Sequence, residues 1–144
     1  MNYNDLIQLY FERSNSLQNY WTLYVVVIGG LLAFSSIRKQ GDRLTTLLVS
    51  ILFGFFAFKN LDAIHDVTVQ RFAVLETLKS FACASPDAGN VAGAKMKIEP
   101  TLTPPAFDGV RNFHVTSDVL TILALWSMER RRRRHADDLQ TDRH

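Results

Sequence analysis

Charged side chains are absent from residues 14–37, and residues 21–34 within that stretch are dominated by Val, Ile, Leu, Phe and Gly. At about 1.5 Å of rise per residue, a helix of this length crosses a hydrocarbon core of about 30 Å. The pattern therefore predicts a first transmembrane helix over residues 18–37. A second uncharged block, residues 44–58, lies between Arg43 and Lys59. It is short, but both flanking cations have long apolar stems that carry their charges to the interface, so residues 44–59 read as a second span. The third block, residues 113–129, contains Leu120, Ile122, Leu123, Leu125 and Trp126 and is interrupted by Asp118. The expected fold is an all-α integral membrane protein with three transmembrane helices. Tyr20, Trp21 and Tyr24 at one end of the first span and Trp126 near the end of the third sit where aromatic rings settle at a lipid–water boundary.

Helical periodicity continues outside these blocks. Leu6, Ile7, Tyr10 and Phe11 alternate with Asp5, Gln8 and Glu12 at helical spacing, which predicts an interfacial amphipathic helix over residues 4–13. Ser14, Asn15 and Ser16 follow as a break and a new helix cap. Beyond Lys59, the residues Leu61, Ile64, Val67, Phe72, Leu75 and Leu78 form one apolar stripe, and no Gly or Pro interrupts residues 55–85. The second span is thus expected to continue as an external helix to about residue 81, a rod of roughly 55 Å in all. Its stripe needs cover, and the remaining outer chain is poor in large apolar groups, so a partner protein or a second copy is expected there. Residues 84–112 hold all four prolines and read as an irregular external loop, with the alternating Lys95, Met96, Lys97, Ile98 and Glu99 as one short strand. Residues 130–144 read as a loose basic cytoplasmic tail.

Length and charge sharpen this reading. The chain has 144 residues, 47% of them apolar, enough for one domain and too few for a multidomain enzyme. Its 16 Lys+Arg and 14 Asp+Glu are nearly balanced overall, but their placement is not even. Arg38, Lys39 and Arg43 crowd the connection between blocks one and two, and Arg130, Arg131, Arg132, Arg133 and Arg134 follow block three. With three crossings both clusters fall on one side, and the bias of Lys and Arg toward the cytoplasmic face makes the chain N-out and C-in, in a bacterial-type inner or plasma membrane. The first block lacks a basic leader and a small-residue cleavage site, so it reads as an uncleaved anchor.

Few residues carry candidate chemistry. Asp118 is an ionisable group within a span and should face a partner; Tyr24, or Lys59 reaching from above, is expected to supply it and lock the helices together. His114, four residues earlier on the same face, could extend it into an ion relay. His65, with Asp62 and Asp66, could face His114, a weak metal candidate with no recognisable ligand spacing. Gly29 with Ala33, and Ser50 with Gly54, place small residues one turn apart and are expected to mark where helices one and two pack. Cys83 is the only cysteine and permits at most an intermolecular disulfide. The five arginines are expected to set topology and meet membrane lipid; no aromatic interleaving points to nucleic acid. No nucleophile elbow, phosphate loop, dinucleotide fingerprint or paired cysteines occur, so no catalytic residue and no cofactor are expected.

In outline, being small with three spans, N-out, C-in and a charged tail, the chain resembles one class of phage holin, a likeness carried by topology. That resemblance implies a homo-oligomeric, pore-forming membrane protein. The long external helix is more than such a pore former needs, and the spans lack a polar pore-lining stripe. The first expectation is therefore a non-catalytic accessory or scaffolding subunit of a membrane assembly, docking through its external helix. A holin-like pore and a small redox or ion-relay subunit are the alternatives.

Overall fold

A computed structural model describes residues 3–83 and 106–141 of the chain. These residues form three α-helices and no strand: α1 (Tyr3–Ile37), α2 (Arg43–Cys83) and α3 (Phe107–Thr141). Two of them, over Asp5–Ile37 and Arg43–Ser80, are long and apolar enough to cross a bilayer. The expected strand at residues 95–99 and most of the expected loop lie outside the described residues.

Local chemistry accounts for the helix limits. Asp42 caps α2: its Oδ1 accepts from the Leu44 amide at 2.9 Å, its Oδ2 from the Thr45 hydroxyl, and its carbonyl from the Thr46 amide at 3.2 Å. The first turn of α3 closes with the Gly109 amide donating to Ala106 O at 3.2 Å, and Asp108 sits where the helix dipole favours an anion. Three expectations are corrected. No break occurs at Ser14, Asn15 and Ser16, because Ser14 Oγ donates to Tyr10 O at 2.9 Å and Ser16 Oγ to Glu12 O at 3.0 Å. The hydroxyls bond back into the helix instead of capping a new one. Residues 107–112 belong to α3 rather than to a loop, and residues 130–141 continue it rather than forming a loose tail. Arginine is a good helix former, and Glu129 pairs with Arg132 and Arg133 at helical spacing.

The chain divides into two compact units, Met1–Trp21 with Asp62–Val110 and Thr22–Leu61 with Arg111–His144. In the first unit, Leu6, Tyr10, Leu75 and Leu78 form a buried cluster, with Ile7 and Val74 packed on it. Arg71 Nη2 donates to Tyr10 Oη at 2.9 Å, and its guanidinium lies over the Tyr10 ring at 5.1 Å. Ile64 and Val67 are buried as well, at 0% and 6% exposure. Four residues of the stripe expected to meet a partner are therefore covered by the chain itself, Leu75 and Leu78 by the apolar groups at the start of α1. Leu61 is half-buried, and only Phe72 stays open, at 40% exposure.

The second unit is built the other way round. Leu23, Val25 and Phe34 on α1, Leu48, Leu52 and Phe55 on α2, and Phe113, Val119 and Leu120 on α3 are all exposed. Ser35, Thr46, Asn60, His114, Thr121 and Glu129 are buried. Hydroxyls on these helices bond to their own backbone, Ser50 Oγ to Thr46 O and Thr121 Oγ1 to Ser117 O, both at 2.8 Å. The small residues do not mark a close helix contact: Gly29 and Ala33 are exposed, and a Cβ added at Gly29 or Gly54 would meet nothing within 4 Å. Buried Phe53, Ala57 and Leu125 share the interior of this unit with the polar groups.

Candidate functional site

Two buried polar centres lie in the second unit. The first is organised by Asp118. Tyr24 Oη on α1 donates to Asp118 Oδ1 at 2.7 Å, with the His114 carbonyl a longer second acceptor at 3.3 Å. His114 Nδ1 stands 3.0 Å from Asp118 Oδ2. Across the ring, Asn60 Nδ2 on α2 is 3.2 Å from His114 Nε2. A carboxylate only accepts, so Nδ1 carries the proton and Nε2 accepts from the Asn60 amide. The His114 and Tyr24 rings pack with centroids 4.0 Å apart. His114 is fully buried, and Asn60 Oδ1 is buried without a hydrogen-bond partner.

Helical spacing explains half of this arrangement. His114 and Asp118 are one turn apart on α3, so the sequence alone sets them side by side. Tyr24 and Asn60 come from helices distant in the chain. The result is one hydrogen-bonded chain through three helices, centred on an acid that would otherwise be costly to bury.

The second centre surrounds Glu129, which is 1% exposed. Arg133 Nε binds its Oε1 at 2.8 Å, Arg132 Nη1 its Oε2 at 3.2 Å, and Thr46 Oγ1 donates to Oε2 at 3.4 Å. Arg132 Nη2 also reaches the end of α1, donating to the carbonyl of Ser35 and, at 3.1 Å, to its hydroxyl. Arg38 Nη1 lies 3.4 Å from Thr46 Oγ1. Glu129 and its arginines thereby tie the end of α3 to the connection between α1 and α2. Beside them the exposed Asp42 carboxyl is held below its usual range, first by the Thr45 hydroxyl, with the Leu44 and Thr45 amides and the Arg38 charge acting in the same sense.

The residues singled out from the sequence are distributed as follows. Tyr24, His114 and Asp118 come together. Lys59 is exposed, with Nζ 5.7 Å from the Phe58 ring centroid. His65 is about half exposed, beside Asp66 at 3.7 Å and edge-on to Phe107 at 4.6 Å. Both ring nitrogens of His114 are engaged, and among the described residues no three His, Cys, Asp or Glu side chains converge to hold a metal ion. Cys83 closes α2, and its side chain lies outside the described residues. Of the arginine run, Arg132 and Arg133 turn inward while Arg130, Arg131 and Arg134 are exposed. Asn60, Thr46, Ser35 and Glu129 went unread from the sequence. Glu129 carried a signal, an acid three and four residues ahead of two arginines; the others have ordinary polar side chains whose role depends on the neighbouring helix.

Comparison with protein-family models, with curated proteins and with solved structures finds no match to this chain.

Proposed function

We propose that this chain is an integral membrane protein of three transmembrane helices, with its N-terminus outside and its arginine-rich end in the cytoplasm. In this reading it works without catalysis, as an accessory or scaffolding subunit of a membrane assembly. The supporting observation is the inverted second unit. Among the described residues nearly all the exposed large apolar side chains fall there, leaving Phe11, Val69 and Phe72 in the first unit. Water penalises such a surface, and lipid does not. Conversely, polar groups placed in lipid need partners inside the protein, and here Tyr24, His114, Asp118 and Glu129 have them.

The third span follows from the same argument. Averaged over its length, α3 is polar because of its charged ends, with the arginine run foremost, and within its apolar stretch the polar His114, Thr121 and Glu129 are buried. The face left outward carries Phe113, Val115, Val119, Leu120 and Leu123. A hydropathy average counts groups that the lipid never meets.

For docking, the burial of Ile64, Val67, Leu75 and Leu78 moves the contact surface of α2 to its still-open side. Phe72 and Val69 are exposed there, next to an open depression lined by Phe72, Leu75, Glu76 and Lys79. The test has two parts. The chain should sediment with membranes after alkaline carbonate washing, and a reporter fused after His144 should be active only inside the cell. A stoichiometric partner should co-purify and be lost in the Val69→Ser, Phe72→Ser pair. Recovery of the chain in the wash supernatant overturns the membrane reading, and retention of the partner by the double variant overturns the docking surface. Dye release from vesicles by the purified chain alone would instead favour a homo-oligomeric pore.

A further inference from the structure

The cations of the α1–α2 connection and of the arginine run fall into two groups. Arg38, Arg132 and Arg133 bind groups of the chain itself. Lys39, Arg43, Arg130, Arg131 and Arg134 are exposed, and among the described residues no acidic side chain holds them. The nearest acid in the connection, Asp42, already accepts from Leu44 and Thr45. Helix geometry sorts the run. With residues 129, 132 and 133 turned inward, residues 130, 131 and 134 share the outer face.

The two segments meet through the inward face of α3. Gly41 lies so close to α3 that an added Cβ would meet Arg133 Cγ and Glu129 Oε1, each at 3.1 Å. Lys39 and Arg43 stand two residues to either side of Gly41, so they lie at the same end of the second unit as the arginine run. The Glu129 centre ties α3 to the start of α2 here, and the outward arginines lie on a helix rather than in a loose tail. Ile37, at 78% exposure, and Leu44, at 64%, adjoin them. The collar of charge therefore begins where the apolar exterior ends, and the side chains beside it are aliphatic, suited to acyl chains rather than to stacked bases.

Resting on the membrane reading above, we infer that Lys39, Arg43, Arg130, Arg131 and Arg134 form a binding surface for anionic phospholipid headgroups. The phosphate oxygens accept from the guanidinium and ammonium groups while the acyl chains lie along Ile37 and Leu44. Arginine suits this role because its planar fork donates two parallel bonds to phosphate.

The chain has two tryptophans, so Trp21→Phe leaves Trp126, one turn before Arg130, as the only indole. That full-length protein is reconstituted into phosphatidylcholine vesicles containing a minority of phosphatidylglycerol, with brominated acyl chains on one lipid or the other. Quenching of Trp126 then reports which lipid surrounds this end of the bundle. Brominated phosphatidylglycerol should quench as if enriched about fivefold or more over its mole fraction, the effect of a single interfacial cation at least. Adding Arg130→Gln, Arg131→Gln and Arg134→Gln should lower the enrichment toward the mole fraction, leaving only the share held by Lys39 and Arg43, while the protein stays inserted. Quenching that follows the bulk composition in the parent protein, or enrichment unchanged by the triple substitution, overturns the inference. Failure to insert into either vesicle overturns the membrane reading itself, and this inference with it. Binding of a single-stranded oligonucleotide that persists undiminished on phosphatidylglycerol vesicles would give the surface to nucleic acid and also overturn it.

Discussion

Asp118→Asn isolates the polar centre that joins the three helices. The carboxylate offers one oxygen to Tyr24 Oη at 2.7 Å and the other to His114 Nδ1 at 3.0 Å. An amide of the same shape has a single acceptor oxygen, so one of these donors loses its short bond to residue 118, and if it is Tyr24 Oη that loses it, the longer contact to the His114 carbonyl remains. Both donors are deeply buried, Tyr24 at 2% exposure and His114 at 0%. An unsatisfied buried donor costs about 1–3 kcal/mol. Interhelical hydrogen bonds in lipid average nearer 0.6 kcal/mol, because separated helices also find partners, which pulls the expected loss to about 1–2 kcal/mol. Relief of the carboxylate's burial favours insertion of α3 and does not offset the loss of packing. In detergent, unfolding followed by near-ultraviolet circular dichroism should show a Tm lower by roughly 3–8 °C for a chain of this size. A double-mutant cycle with Tyr24→Phe supplies the decisive figure: a coupling of about 0.6–1.7 kcal/mol, against additivity within about 0.3 kcal/mol for unrelated sites. Strict additivity would refute the claim that the Tyr24–Asp118 bond joins α1 to α3.

Three other substitutions probe separate parts of the fold. Glu129→Gln removes the charge that holds Arg132 and Arg133; because those arginines are partly solvated, the loss should be about 1–3 kcal/mol rather than the full penalty of a broken buried pair, read as a fall in Tm in the same detergent. Leu75→Ala opens the cluster with Leu6, Tyr10 and Leu78 and should cost about 2–4 kcal/mol, seen as faster amide hydrogen exchange along residues 62–80; exchange unchanged from the parent would contradict intrachain burial of the stripe. Asp42 makes the start of α2 sensitive to pH. Its carboxyl titrates lower in the folded chain than its ordinary value of 3.8, so the cap stabilises at pH values above that and weakens as pH falls through the lowered one. The protection of amides 44–46 should therefore fall in acid relative to amides in the middle of α2 at the same pH, and Asp42→Ala should remove that pH dependence.

Much of the helical framework was legible in the sequence because periodicity is a local property. The apolar blocks at residues 18–37 and 44–59 fall within two unbroken helices, and the spacing of His114 and Asp118 already put imidazole and carboxylate on one face. The errors arose where a residue can serve either of two structures. Ser14 and Ser16 cap helices or bond back into them, and the chain took the second course. Gly29 and Ala33 allow close packing without requiring it, and they face outward. The apolar stripe of α2 demanded cover, but its pattern is the same whether a partner or the chain itself provides it.

Composition and order along the chain were thus enough to set three long helices, the concentration of apolar residues in their middles and the clustering of cations at one end, since each depends on neighbours within a few turns. Which way each side chain faces was decided only when the helices packed. That step closed Leu75 and Leu78 over Leu6 and Tyr10, turned His114, Asn60 and Glu129 inward with an apolar exterior around them, and divided one run of arginines into those that bind Glu129 and those that do not. The physical reason is that a buried polar group must find its partner wherever in the chain it lies, and here the partners lie up to 97 residues apart.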